Sequence, residues 1–267
     1  MRIPIDQGPG SSLPIVILLI ILITWLYITI NFTHVSHHVN HHVSQKLQPF
    51  LAVDMPAGFI YNGTPTTALA GWYCIRSINS SNGYSIQLDA FLNNTVWVQD
   101  MYINSPNGQT SFYAVVWPAV PGPTPHKFVP ATAATCAWLV TALVNGTAYL
   151  GYSLDGRSIT WYYTYPTNAT YILPGPTTEL VLAGYVNGSQ AQLGNGTLVY
   201  FALYYWNGTN WEPAPIVISE GELFIEPVNH AYAYTNNTCS GIVSWPNPVN
   251  ETTCPTPPSF KPPNSWG

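Results

Sequence analysis

Acid–base chemistry in this chain would have to come from very few groups. Its 267 residues hold only 11 Asp and Glu, beside 6 Lys and Arg and 7 His. A hydrolase working through paired carboxyls needs two acids close enough to share a proton, one serving as base and the other as acid. Asp89 and Asp100 fall in what read as adjacent strands. Glu220, Glu222 and Glu226 cluster in ISEGELFIEP, and Glu220 and Glu222 share one face if that stretch is extended. Asp155 reads as a turn residue and Glu212 as a loop charge before Pro213. No G-x-S-x-G elbow, phosphate-binding loop or H-E-x-x-H motif is present, so other hydrolytic and nucleotide chemistries lack a basis.

The histidines form a second constellation. His34, His37, His38, His41 and His42 follow helical i, i+3, i+4 spacing, with Val35, Val39, Val43 and Leu47 as an adjoining apolar stripe. Such a face could take a metal ion, or act as a pH-sensitive contact between helices as the imidazoles charge. It also reads as a solvated stalk face, and with no carboxylate nearby as a supporting partner no metal site is assigned. No cofactor is expected.

The four cysteines, Cys74, Cys136, Cys239 and Cys254, lack C-x-x-C spacing. In an exported chain an even count points to two disulfides. Three pairings are open; Cys239 with Cys254, leaving Cys74 with Cys136, is the one expected.

What would hold these groups in place is mostly strand. Residues 84–92 (YSIQLDAFL) alternate Ile86, Leu88, Ala90 and Leu92 against Gln87, Asp89 and Phe91. Strands at 95–103 and 110–117 flank the Asn107-Gly108 turn, and strands at 148–154 and 157–165 flank Asp155-Gly156. Residues 179–186, 197–206 and 222–225 add further strands. Frequent turns, 18 Tyr, 10 Trp and no amphipathic helix after Pro49 predict an all-β domain: a β-sandwich or two packed antiparallel sheets. Residues 118–130 read as a Pro-rich linker between two sub-sheets, and 246–267 as an extended Pro-rich tail.

Ahead of this domain lies LPIVILLIILITWLYITI, residues 13–30, without one charge. As a helix it would be about 27 Å long, near the thickness of a bilayer core. Its length and the lack of a small-residue cleavage site predict a retained anchor rather than a cleaved signal. Residues 1–12 then form a cytoplasmic leader, 31–49 a helical stalk and 50–245 the β domain. Eleven N-x-S/T sequons, Asn31, Asn62, Asn79, Asn93, Asn145, Asn168, Asn187, Asn195, Asn207, Asn236 and Asn250, all follow the apolar run. They place the C-terminal domain outside the membrane. The expected contacts of 13–30 are lipid or neighbouring helices, with a homo-oligomer or other envelope proteins as partners. Six scattered cations exclude a nucleic-acid surface. Charged residues are only 6% of the chain, against about a quarter in an ordinary soluble domain. Few native carboxylates means that acid removes little stability.

The stretches SNGYSIQLDAFLNNTVWVQDMYI and SPNGQTSFYAVVW resemble the thermopsin family of archaeal acid proteases, as do PAGFIYNG at 56–63, LGYSLDGRSITWYY at 150–163, and ELVLAGYVNG with GTLVYFALYYWNGTNW between 179 and 211. The resemblance covers about residues 55–245. It implies an exported all-β fold from a hot, acidic archaeal setting and an acid endopeptidase activity. It departs at Phe201, Ala202 and Leu203, where the family's pattern would want a carboxylate. The sequence therefore points first to a membrane-anchored, glycosylated structural or adhesive surface protein of an envelope, filament or virion, with a membrane-tethered acid endopeptidase as the alternative.

Overall fold

A computed structural model describes residues 48–117, 125–131, 134–186, 188–219, 226–236 and 239–261. The leader, the apolar run 13–30 and the His-bearing stalk lie outside the described residues, apart from positions 48 and 49. Among the described residues there is no helix long and apolar enough to cross a membrane, and no His, Cys, Asp and Glu cluster that could hold a metal.

The described chain is all-β, with strands from Phe50 to Trp245 in two antiparallel sheets. The first sheet holds β1 (Phe50–Met55), β3 (Ala68–Ser77), β8 (Cys136–Val144), β9 (Thr147–Ser153), β10 (Thr160–Pro166), β13 (Thr197–Trp206), β14 (Trp211–Pro213), β16 (Val228–Tyr234) and β17 (Gly241–Trp245). Its order is β1-β16-β17-β13-β3-β8-β9-β10, with β14 pairing β13. The second holds β2 (Ala57–Tyr61), β4 (Tyr84–Leu92), β5 (Trp97–Asn104), β6 (Thr110–Trp117), β7 (His126–Pro130), β11 (Ile172–Leu173), β12 (Glu179–Ala183) and β15 (Ile216–Ile218). Its order is β15-β2-β12-β4-β5-β6-β7, with β11 pairing β4. Each sheet draws strands from both sides of the Pro-rich segment. That segment does not end as loop: residues 126–130 are β7, paired with β6.

Strand periodicity explains the packing. Ile86, Leu88 and Ala90 of β4, Leu180 and Leu182 of β12, and Phe59 and Tyr61 of β2 meet Val199, Phe201 and Leu203 of β13 in one buried cluster between the sheets. Phe201 and Leu203 thus occupy core positions, with the Phe59 and Phe201 rings 6.2 Å apart. The opposite face of the first sheet is also covered. Trp72, Trp138, Tyr200 and Ile242 pack there with Phe260 of the C-terminal tail. Phe260 sits 4.5 Å from Trp138 and 4.8 Å from Trp211 between ring centres. Disulfides Cys74–Cys136, between directly paired residues of β3 and β8, and Cys239–Cys254, tying the tail to the sheet, both form. The β8–β9 hairpin turns on Asn145 and Gly146, both at positive φ, the two-residue turn that Asn-Gly favours.

Candidate functional site: a buried carboxyl and carboxamide face

Because the core claims one side of β4, β5 and β12, the alternate positions point away from the first sheet. Through Asp89 the pairing row reads Ile60, Glu179, Asp89, Gln99, Val115, His126 across β2, β12, β4, β5, β6 and β7. Asp89 therefore has a carboxyl on one side and a carboxamide on the other. One pleat along, Gln87 stands between Val181 and Met101. Glu226, just before β16, comes onto the same face from far along the chain. Asp89, Glu179, Gln87, Gln99 and Glu226 are all between 2% and 9% exposed, deep burial for acids and carboxamides.

Burial pushes the Asp89 carboxyl well above the usual carboxylate range, helped by the negative charges of Glu179 and Glu226 and opposed by a hydrogen bond from Gln99. Asp89 Oδ1 itself has no hydrogen-bond partner. An acid so placed holds its proton where ordinary carboxyls have lost theirs. Glu179 Oε2 accepts from the Ser219 hydroxyl at 2.6 Å. Glu226 Oε2 accepts from Gln87 Nε2 at 2.5 Å, an arrangement that suits a carboxylate. The same Gln87 nitrogen donates to Ser85 Oγ at 2.8 Å, and that hydroxyl donates to the Gly184 carbonyl at 2.5 Å. The Gly184 N–H in turn holds the Glu226 carbonyl at 2.7 Å. Glu226 carries φ of 61°, a left-handed conformation rare for a residue with a side chain, and its anchoring over-determines it.

An aromatic row flanks the polar one. Phe91, Trp97 and Trp117 pair across β4, β5 and β6, two residues along from Asp89 and Gln99 on the same face. The Trp97 and Trp117 rings stack at 6.1 Å, and Trp117 is 41% exposed. On the other flank Tyr185 and Val186 pack on Met101, Ile103 and Val115.

Asp89 lies at the centre of this face. Asp100, one residue beyond its partner Gln99, necessarily points the other way, into the space between the sheets. There its Oδ2 accepts from the Val140 N–H at 3.0 Å and its Oδ1 from the Tyr162 hydroxyl at 2.7 Å. Tyr162 is the extra residue of a bulge in β10, which turns its ring inward. Asp89 and Asp100 are thus on opposite faces of one sheet and form no pair. Glu220 and Glu222 lie outside the described residues. Glu179, Gln87 and Gln99 join the site only through strand register. The signal for Gln87 lies in β4, where Ser85, Gln87 and Asp89 alternate with core residues; Gln99 and Glu179 stand in the mostly apolar β5 and β12.

No protein-family model matches the chain, and no curated protein matches it. Among solved structures it is similar to scytalido-glutamic peptidase bound to a peptide-based transition-state analogue, with 9% identity and a TM-score of 0.43 over 73% of this chain and 98% of that one. A second structure of that peptidase, with a transition-state analogue inhibitor, gives 11% identity and a TM-score of 0.34 over 72% of this chain and 81% of that one. A functionally unknown protein from Saccharomyces cerevisiae gives 12% and 0.29 over 63% and 74%.

Proposed function

We propose that this protein is a membrane-tethered acid endopeptidase whose chemistry is carried by the carboxyl and carboxamide face of the second sheet. The observation that supports it is the division of labour among buried acids: Asp89, kept protonated by burial and by Glu179, beside Glu226, whose oxygen accepts the Gln87 carboxamide. Peptide hydrolysis in acid needs such a division. In this reading Glu226 takes a proton from the attacking water, and the water oxygen bonds to the scissile carbonyl carbon. Asp89 protonates the departing amine nitrogen as the C–N bond breaks, and the proton held by Glu226 then restores Asp89. The carboxamide N–H groups of Gln87 and Gln99 supply neutral donors for charge developing on the carbonyl oxygen. The resemblance to thermopsins points to the same class of activity.

The apolar run 13–30 would hold the domain at a membrane or in an assembly, with the β domain outside. Of the eleven sequons, Asn31 and Asn187 lie outside the side chains described; of the other nine, all but the half-buried Asn236 are exposed. That exposure supports a glycan-coated surface, and favours as a second reading a structural coat or filament subunit with no peptidase role.

The test is digestion of a denatured protein by the full chain at about pH 3, where a carboxyl pair can share its proton. Cleavage lost in Glu226→Gln and Asp89→Asn, with folding retained, supports the proposal. A folded, inert wild-type chain leaves the structural reading in its place.

A further inference from the structure

A donor chain crosses the face diagonally. Trp117 Nε1 on β6 donates to Gln99 Oε1 on β5 at 2.6 Å; Gln99 Nε2 donates to Gln87 Oε1 on β4 at 3.2 Å; Gln87 Nε2 donates to Glu226 Oε2 at 2.5 Å. None of the strand-borne links joins directly paired residues. Gln99 pairs Asp89, not Gln87, and Trp117 pairs Trp97, not Gln99. Diagonal neighbours across a sheet are about 7–8 Å apart at the backbone, a span that only long side chains bridge.

The sense of this chain is enforced from both ends. A carboxamide has nearly the same shape when its oxygen and nitrogen are exchanged, so only its partners decide its orientation. The Trp117 indole can only donate, which turns the Gln99 oxygen toward it and the Gln99 nitrogen toward Gln87. At the far end the Ser85 hydroxyl proton is committed to the Gly184 carbonyl, so Ser85 Oγ faces Gln87 as an acceptor and demands its nitrogen. Both constraints give Gln87 the same orientation: oxygen to Gln99, nitrogen to Glu226. In the reverse sense two acceptor oxygens would meet at Glu226, a contact that only a protonated Glu226 relieves.

We infer that Trp117 and Gln99 are positioning residues for the Gln87–Glu226 pair, the indole N–H at the exposed rim fixing Glu226 as an acceptor through two carboxamides. As a statement about catalysis it rests on the peptidase reading; as a statement about coupling it does not. The other ionisable side chains on this face are Asp89, Glu179, His126 at the β7 edge of the Asp89 row, Tyr185, and Tyr113, which interacts with the charge of Glu226. Of these only Asp89 touches the donor chain, through its hydrogen bond from Gln99, and Glu226→Gln separates its titration from that of Glu226.

The experiment uses the full chain with 15N-labelled tryptophan and the variants Trp117→Phe, Gln99→Leu and Glu226→Gln. Trp117→Phe keeps one ring to stack on Trp97 while it removes the N–H donor and the rest of the indole. The Trp117 indole N–H resonance is expected to shift with pH in the wild type and to lose that shift in Glu226→Gln and in Gln99→Leu. A resonance that titrates identically in all three overturns the relay, whether or not the protein cleaves anything. In the cleavage assay Trp117→Phe is expected to move the acid limb of the kcat profile upward by about one pH unit, about tenfold in rate on that limb, with KM unchanged. A merely structural Trp117 would leave that limb where it is, and an unmoved limb in an active Trp117→Phe enzyme overturns the positioning role. Absence of cleavage by the wild type would defeat the peptidase reading alone, the indole titration deciding the relay by itself.

Discussion

Replacing Asp100 by Asn should flatten the pH dependence of stability and leave acid stability almost intact. Burial lifts the Asp100 carboxyl from 3.8 to about 8, against hydrogen bonds from Tyr162 and from the Val140 and Gly151 backbone that pull it down. A carboxyl raised in the folded state binds its proton more tightly there than in the unfolded chain. Its contribution is thus fully present below about pH 4 and is lost as pH rises toward about 8. The gap of about four pH units, at about 1.4 kcal/mol each, corresponds to a loss on the order of 5 kcal/mol, a large share of the stability of an ordinary domain. Asn imitates the protonated acid: its oxygen accepts from Val140 and its nitrogen donates to the Tyr162 oxygen. Denaturant titrations of the disulfide-intact protein at several pH values between about 3 and about 8 would measure this. The wild type should weaken steadily with rising pH. Asp100→Asn should keep most of its acid stability and lose several kcal/mol of that slope, the remainder belonging to Asp89, which shifts in the same direction. A slope unchanged in Asp100→Asn would mean that the buried Asp100 carboxyl does not carry the pH dependence.

Tyr162→Phe should destabilise the fold by about 1–3 kcal/mol in urea titrations, because it removes the hydroxyl from Asp100 Oδ1 between the sheets. Phe260→Ala, which empties the contact with Trp138 and Trp211, should cost about 3–5 kcal/mol of local stability and make the tail beyond Cys254 sensitive to limited proteolysis. Intact-mass analysis of the native protein should show glycan at the exposed sequons Asn62, Asn145, Asn195 and Asn207, each followed by glycine; bare polypeptide mass would remove the support for export.

The strand reading of the sequence was sharpest where alternation was cleanest. β4, β6 and β13 span the residues expected of them, 84–92, 110–117 and 197–206. Asn107-Gly108 and Asp155-Gly156 mark real hairpins because glycine supplies the positive φ those turns require. The strands that escaped, β3 and β8 among them, are buried on both faces and so carry no period-two signature. β7 was concealed by neighbouring prolines, tolerated at a sheet edge where one side needs no hydrogen bonds. Strand register likewise hides the site. Asp89 stood out as a charge, but sequence proximity grouped it with Asp100, and register then sent the two to opposite faces. Glu179 reads as the first residue of a strand at 179–186, and Gln87 only as a residue alternating with the apolar positions of 84–92. Only the pairing of β12, β4 and β5 brings these and Gln99 beside Asp89, and Glu226 joins them across 139 residues from Gln87.

The proposed chemistry requires one face to hold a neutral acid beside a carboxylate at the same pH. Carboxyl 13C NMR of the full chain, with Asp89→Asn and Glu226→Gln to assign the signals, measures this directly. Asp89 should remain protonated at a pH where Glu226 is already ionised, and each substitution should delete its own signal together with cleavage activity. An Asp89 that ionises with the exposed carboxyls, or acid cleavage that survives both substitutions, would contradict it.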